Sequence, residues 1–365
     1  LQLFKYLNIL FLVLIVTDVI FMATKFSSNT RDKVDEIAVV DCAECPRPNI
    51  YLVILDEYAG SGALEELFSF DNSAFENELK ARDFRVLAGT RSNYNFTPFS
   101  MASIFSMNYL QLGSDKSNDL ENQNTCLRII NQNQVISTLK KFDYEFVNLS
   151  MFDFAGEPNE VDENEFYSTR EKLVTSQTFT GRLQKDLWFH TVLSFKWNWA
   201  IRDYQHGLEE QLKEQFEKTA SAGISASKPR FVYTHFIMPH YPYLYNEKGQ
   251  SLPIDKVLNG GKEEYLGFLK YANQFTIDLV DEILKNDKTD PVIIIMSDHG
   301  FTKYGPPTDD SYYFQNIVNL RMPSNMLDQV PDSISNVNVF RSVLNVQFGQ
   351  KMPLLKDSTI LLKEY

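Results

Sequence analysis

Three short apolar runs, each ending in residues that bind metals or protons, limit the architectures open to this chain. Ile50–Leu55 (IYLVIL) is unbroken, rich in β-branched side chains, and followed by Asp56-Glu57. Residues 229–236 (PRFVYTHF) include His235, and His240 follows in HFIMPHYPY. The run VIIIMS, set off by Asp290-Pro291, leads into Asp298-His299-Gly300. A run without polar alternation is what a strand buried on both faces requires, and such strands belong to parallel sheets covered by helices.

The segments between these runs read as helices. Helical stretches are expected at 62–69, at 73–82 behind the cap-like Asp71-Asn72-Ser73, at 97–106, 134–141, 263–286 and 337–348. A further long stretch ends in EEQLKEQFEKTASA. Shorter strands are expected near Phe84–Leu87 and Tyr144–Asn148. The alternation predicts an α/β fold: a doubly wound, mostly parallel sheet flanked by helices, with ligands at the carboxyl ends of the strands. The middle of the chain, about 150–228, is less regular and carries the acidic, Asn-rich loop EPNEVDENE.

With 28 Phe and 18 Tyr among 365 residues, the chain can fill a sizeable core. Its 35 Lys+Arg against 48 Asp+Glu give a net charge of −13. That balance excludes general nucleic-acid binding, which needs a basic footprint. It leaves room for an anionic substrate wherever a metal ion supplies local positive charge.

Tyr6–Thr24 is almost entirely apolar apart from Asn8, Thr17 and Asp18. As a helix it would be roughly 28 Å long, enough to cross a hydrocarbon core. A membrane anchor over residues 1–24 is therefore expected, with a polar tether over 25–47 and a globular domain over 48–365. A secretory signal peptide and a buried soluble helix are the competing readings. Cys42-Ala-Glu-Cys45 sits in the tether. Without a second Cys or His pair nearby it makes no zinc ribbon, and a local disulfide outside the cytoplasm is the favoured reading over free thiols or a redox or lipidated role. Cys126 reads as a buried free thiol.

Taken singly, an Asp at a strand end is a helix cap and a lone His a structural histidine. Together, Asp56-Glu57, His235 and His240, and Asp298-His299 place carboxylates and imidazoles at neighbouring strand ends, and carboxylates and imidazoles converging on one crevice are what a divalent cation needs. The hydroxyl-rich stretch Ser92–Ser103 (SNYNFTPFSMAS) opens a helix, and Thr97-Pro98 fits an N-cap followed by proline at the first helical position. The same placement puts the Thr97 hydroxyl in the positive field of a helix N-terminus, which favours an alkoxide and makes it a candidate nucleophile.

The order strand–Asp-Glu, hydroxyl helix, strand–His-Pro-Tyr, strand–Ser-Asp-His-Gly resembles the alkaline phosphatase/sulfatase superfamily over roughly residues 48–350. Ser297-Asp298-His299-Gly300 and Pro239-His240-Tyr241-Pro242 are its most telling motifs. DEYAG, RSNYNFTPFS and NVNVFRSVLN look like bacterial membrane-anchored sulfatase-like proteins. The resemblance implies that Asp56, Thr97, Asp298 and His299 hold one divalent ion (Mn, Zn or Mg), as in the membrane transferases. It implies Thr97 as nucleophile, and His240 as the residue at the transferred group or leaving oxygen. Glu57 matches a neighbouring acidic position. His235 is read as structural, with a ligand role as the alternative, and Lys303 as a solvated surface lysine, with contact to an anion as the alternative.

The departures from the type I sulfatase pattern are equally informative. Thr97 stands where those enzymes carry the Cys or Ser that becomes formylglycine, and Met101 where they carry an arginine. Threonine cannot undergo that oxidation. The resemblance therefore implies a phosphodiesterase, phosphatase or phospho-head-group transferase acting on envelope lipid or glycan phosphate esters. The catalytic domain would lie at a cell membrane, facing the periplasm or exterior. A sulfuric ester hydrolase and a non-catalytic envelope binding module are the alternatives. Oligomeric state is not legible.

Overall fold

The computed structural model describes residues 2–27, 38–112, 117–157, 198–224, 226–303 and 309–363. A six-stranded sheet organises them, with β1 (Ile50–Leu55), β2 (Arg85–Val86), β3 (Glu145–Leu149), β4 (Arg230–Phe236), β5 (Val292–Met296) and β6 (Val318–Arg321) in the order β2-β6-β5-β1-β4-β3. β1 lies at the centre, parallel to β4 on one side and β5 on the other, and β3 continues the parallel set beyond β4. β6 runs antiparallel to both β5 and β2. The expected α/β sheet is thus mostly parallel, with one reversed strand that the sequence does not announce.

All six residues of β1 are buried. The pleat sends Ile50, Leu52 and Ile54 into one core and Tyr51, Val53 and Leu55 into the other. Helices Thr97–Ser106, Leu120–Asn131, Gln134–Lys141 and Asn336–Phe348 cover the first face; Ser61–Phe68, Ser73–Lys80, Asn198–Ser221 and Lys262–Asn286 cover the second. Each fully buried apolar side chain of such a strand contributes about 1.5–3 kcal/mol, which is why the unbroken runs were decisive. The Asn-rich loop EPNEVDENE falls almost wholly outside the described residues.

Cys42 and Cys45 are joined in a disulfide, and both pack against the first core. Cys126 is a buried free thiol whose pKa burial pushes up to about 12. The expected N-terminal anchor is not supported. Gln2–Ser27 is helical where the anchor was expected, and Phe4, Leu12 and their apolar neighbours are exposed and belong to neither core. Yet among the described residues no helix is long and apolar enough to cross a membrane.

Candidate active site

The carboxyl ends of the three adjacent strands β4, β1 and β5 converge. His235 lies opposite Ile54 in the β1–β4 register, Asp56 follows β1, and Asp298 follows β5. One carboxylate oxygen each from Asp56 and Asp298 and one ring nitrogen of His235 lie within 4.8 Å of one another. All three residues are buried. His235 Nε2 and Asp298 Oδ2 take no hydrogen bond among the described residues. Buried polar atoms left without partners are costly unless something else satisfies them. Two carboxylates and an imidazole with open ligand atoms fit a divalent cation.

His235 was the residue that sequence reasoning undervalued. Its Nδ1 is 2.9 Å from Tyr233 Oη, which fixes the ring and leaves Nε2 turned to Asp56 Oδ2 at 3.6 Å. Tyr233 is itself wedged edge-on against Phe105 and Phe154. A histidine two residues from a buried tyrosine on the same strand face was the available signal, since i and i+2 share a face.

The turn after β5 is held from several directions. Ser100 Oγ and Asn336 Nδ2 donate to the Asp298 carbonyl, and Asn316 Nδ2 donates to the Ser297 carbonyl at 2.8 Å. The Glu57 amide donates to Asp298 Oδ1 at 3.1 Å, leaving Oδ2 free for the cluster. A Cβ on Gly300 would fall 2.2 Å from the Tyr312 carbonyl oxygen, so only glycine fits there.

Thr97 is the first helical residue of Thr97–Ser106, and Phe96 is the N-cap. This corrects the expected cap. The Thr97 hydroxyl is not spent on the helix backbone; it stands 3.5 Å from Asp56 Oδ1 and 3.3 Å from His299 Nε2. His299 Nδ1 is 2.7 Å from the Gly300 carbonyl, so its Nε2 is the atom turned to the cluster, 3.3 Å from Asp298 Oδ2 and 3.9 Å from Asp56 Oδ1. Asp56, Thr97, Asp298 and His299, chosen from the sequence, are thus brought together. Met101, at the position of the missing arginine, is fully buried in the first core.

His240 lies at the rim. Its Nδ1 contacts the Tyr241 carbonyl, and its Nε2 is 3.9 Å from Glu57 Oε2. Lys303 is not the solvated lysine expected. Its Nζ sits 3.1 Å from the Tyr241 ring centre and 4.9 Å from that of Tyr243, and burial, partly offset by Glu57, pulls its pKa down to about 8.

The charges of the site are coupled. Burial opposes ionisation of Asp56, but His240, His235 and His299 together hold it well below the usual carboxylate range. Burial and the charge of Asp56 push Asp298 up. Burial likewise opposes charge on His299 and His240. Asp298 and Asp56 overcome it for His299, Asp56 and Glu57 for His240, and both pKa values rise. A further Asp-x-x-x-His spacing, Asp186 to His190, falls outside the described residues.

No curated protein matches the chain in sequence. Among solved structures, the chain is similar to the integral membrane lipooligosaccharide phosphoethanolamine transferase A of Neisseria meningitidis. The TM-score is 0.51 at 13% identity, covering 89% of this chain and 60% of that one. It is also similar to the phosphonate monoester hydrolase of Silicibacter pomeroyi, with a TM-score of 0.51 at 14% identity, covering 86% of this chain and 75% of that one. These likenesses concern the fold. The sulfatase family model matches residues 131–327, a span that takes in His235, His240, Asp298 and His299 and exceeds half of the chain. The chain belongs to the sulfatase family, within the alkaline phosphatase/sulfatase superfamily.

Proposed function

We propose that the protein is a metal-dependent phosphoryl-transfer enzyme that works through a phosphothreonine at Thr97. The observation that carries this reading is the Thr97 hydroxyl, free of any capping role, 3.5 Å from Asp56 and 3.3 Å from His299. Asp56, His235 and Asp298 would hold one divalent cation, with Thr97 and His299 as the remaining candidate ligands; Mn, Zn and Mg all suit this donor set. Such an ion, when bound, supplies positive charge that favours the alkoxide and offsets charge on the transferred phosphoryl group.

The residues of the chain do the rest. Thr97 Oγ1, which has released its proton to solvent and is an alkoxide again at the end of each cycle, attacks phosphorus; a P–O bond forms and the bond to the leaving oxygen breaks. The helix N-terminus favours the developing alkoxide. His240, whose protonated form Asp56 and Glu57 favour against its burial, delivers a proton to the leaving oxygen. The neutral imidazole then takes a proton from the incoming water or acceptor hydroxyl, which displaces phosphorus from Thr97. Water makes the enzyme a phosphatase or phosphodiesterase, and a lipid or glycan hydroxyl makes it a transferase.

Substrates are envelope lipid or glycan phosphate esters in this reading, and the site faces the periplasm or exterior at a cell membrane. The Cys42–Cys45 disulfide supports an oxidising compartment. Family membership keeps sulfate ester hydrolysis as the second reading; Thr97, which cannot become formylglycine, and the buried Met101 speak against it. The test is turnover of a phosphate monoester, a phosphodiester and a sulfate ester, side by side, with each metal and with Thr97→Ala. Phosphorus-ester turnover lost in Thr97→Ala is expected. Sulfate-ester turnover alone contradicts the reading, and failure to bind any divalent metal favours a non-catalytic module.

A further inference from the structure

The geometry points to Glu57 as the positioning residue for His240: a buried carboxylate, fixed on every other atom, whose one open oxygen is the counter-charge that holds the imidazole in place. This rests on the proposed reaction and deepens it.

Glu57 occupies the left-handed region, with φ of 58°. A non-glycine residue stays there only when its surroundings over-determine it. They do. The Glu57 amide donates to Asp298 Oδ1 at 3.1 Å, and its carbonyl accepts from Tyr265 Oη at 2.9 Å. Oε1 accepts from both the amide and the hydroxyl of Thr302, at 2.8 and 2.6 Å. Oε2 is buried and takes no hydrogen bond among the described residues. It faces His240 Nε2 at 3.9 Å. The Glu57 side chain is 1% exposed and that of His240 39% exposed, so the carboxylate is the fixed partner and the imidazole the one reaching the solvent side. His240 Nδ1 is committed to the Tyr241 carbonyl, which leaves Nε2 as the atom that can serve a substrate.

Glu57 is not in the group of Asp56, His235 and Asp298. Its main-chain amide orients Asp298 while its side chain serves His240. One residue thereby ties the cation cluster to the proton donor. The strained backbone at the end of β1 is what sends the neighbouring side chains of Asp56 and Glu57 to these two tasks.

The test compares the full chain with Glu57→Gln, His240→Gln and the double variant. Glutamine keeps the size of the side chain and an oxygen for Thr302, and removes the charge. The imidazole nitrogen resonances of the five histidines are recorded first, with His240→Gln assigning the signal. Glu57→Gln is expected to move the His240 signal while metal content stays at the wild-type level. An unmoved His240 signal, or lost metal, overturns the proposal whether or not any ester is turned over. Kinetics then use two esters of one acid, one with a nitrophenyl and one with an alkyl leaving group. Glu57→Gln and His240→Gln should each lose at least about tenfold more kcat on the alkyl ester, with KM little changed, and the double variant should lose no more than His240→Gln. Additive losses, or equal losses on both esters, contradict it. A moved signal with no ester turnover in any protein leaves the positioning intact and overturns the reaction instead.

Discussion

His235 Nε2 stands 3.6 Å from Asp56 Oδ2, across the seam between β4 and β1. Neither residue is near the other in sequence, and the parallel register alone brings them together. That makes His235 a proposed ligand, and its removal a test of the cluster. His235→Ala should abolish stoichiometric metal binding, measured by metal analysis after dialysis. Tyr233→Phe, which removes only the hydroxyl that fixes Nδ1, should weaken metal affinity by about 10–100-fold. Retention of full metal by His235→Ala would return this histidine to a structural role.

The metal-free protein should lose stability as pH rises above neutrality. His240 and His299 have folded-state values raised above the ordinary 6.5. Below that value both folded and unfolded chains are charged, and the favourable interaction with Asp56 is fully present. As pH climbs through the raised folded value, it is lost. The raised Asp298 acts in the same direction, at lower pH. Thermal melting of metal-free protein between about pH 6 and about pH 7.5, below the range where Lys303, pulled down to about 8, acts in the opposite sense, should therefore show a falling Tm, and metal should flatten the curve. These are the pH values to sample around the ordinary histidine range of about 6.5. A Tm that rises over this interval contradicts the charge assignment.

Met101→Arg would restore the side chain of the type I sulfatase pattern, and it should not restore sulfatase chemistry. Met101 is fully buried among apolar neighbours, so the variant buries a guanidinium without a partner. A loss of about 3 kcal/mol or more is expected in denaturant unfolding. A variant as stable as wild type would show that the position opens toward the site.

Gly300→Ala tests the turn itself. Its Cβ would meet the Tyr312 and Gln315 carbonyl oxygens at 2.2 and 2.6 Å. The turn must shift, and Asp298 and His299 with it. Metal affinity and kcat should both fall, while Gly267→Ala, where the nearest atom to the new Cβ is the Glu247 amide nitrogen at an ordinary 3.6 Å, should leave both unchanged.

Much of this was legible in the sequence because buried strands have a plain signature. β1 and β5 are legible from unbroken apolar runs and β4 from its composition, and the residues after them follow from the direction of the chain. β6 was not, because VNLR is short and carries a buried asparagine, Asn319, in place of a continuous run. The hydroxyl helix was placed at 97–106, but its cap was assigned one residue late, since a Thr-Pro pair looks the same at N-cap and at the first helical turn. His235 and Lys303 were undervalued for a common reason: their surroundings come from residues that meet them only in the folded chain, Asp56 and Asp298 in one case, Tyr241 and Tyr243 in the other.

The most direct test of the central claim is to trap the covalent intermediate. The metal-loaded protein is mixed with a phosphate ester, quenched in acid, digested and mapped by mass spectrometry. The account predicts a phosphoryl adduct on the peptide that contains Thr97, on the hydroxyl 3.3 Å from His299, and its absence in Thr97→Ala with at least roughly 10³-fold lower turnover. An unmodified Thr97 peptide together with undiminished turnover by Thr97→Ala would contradict it.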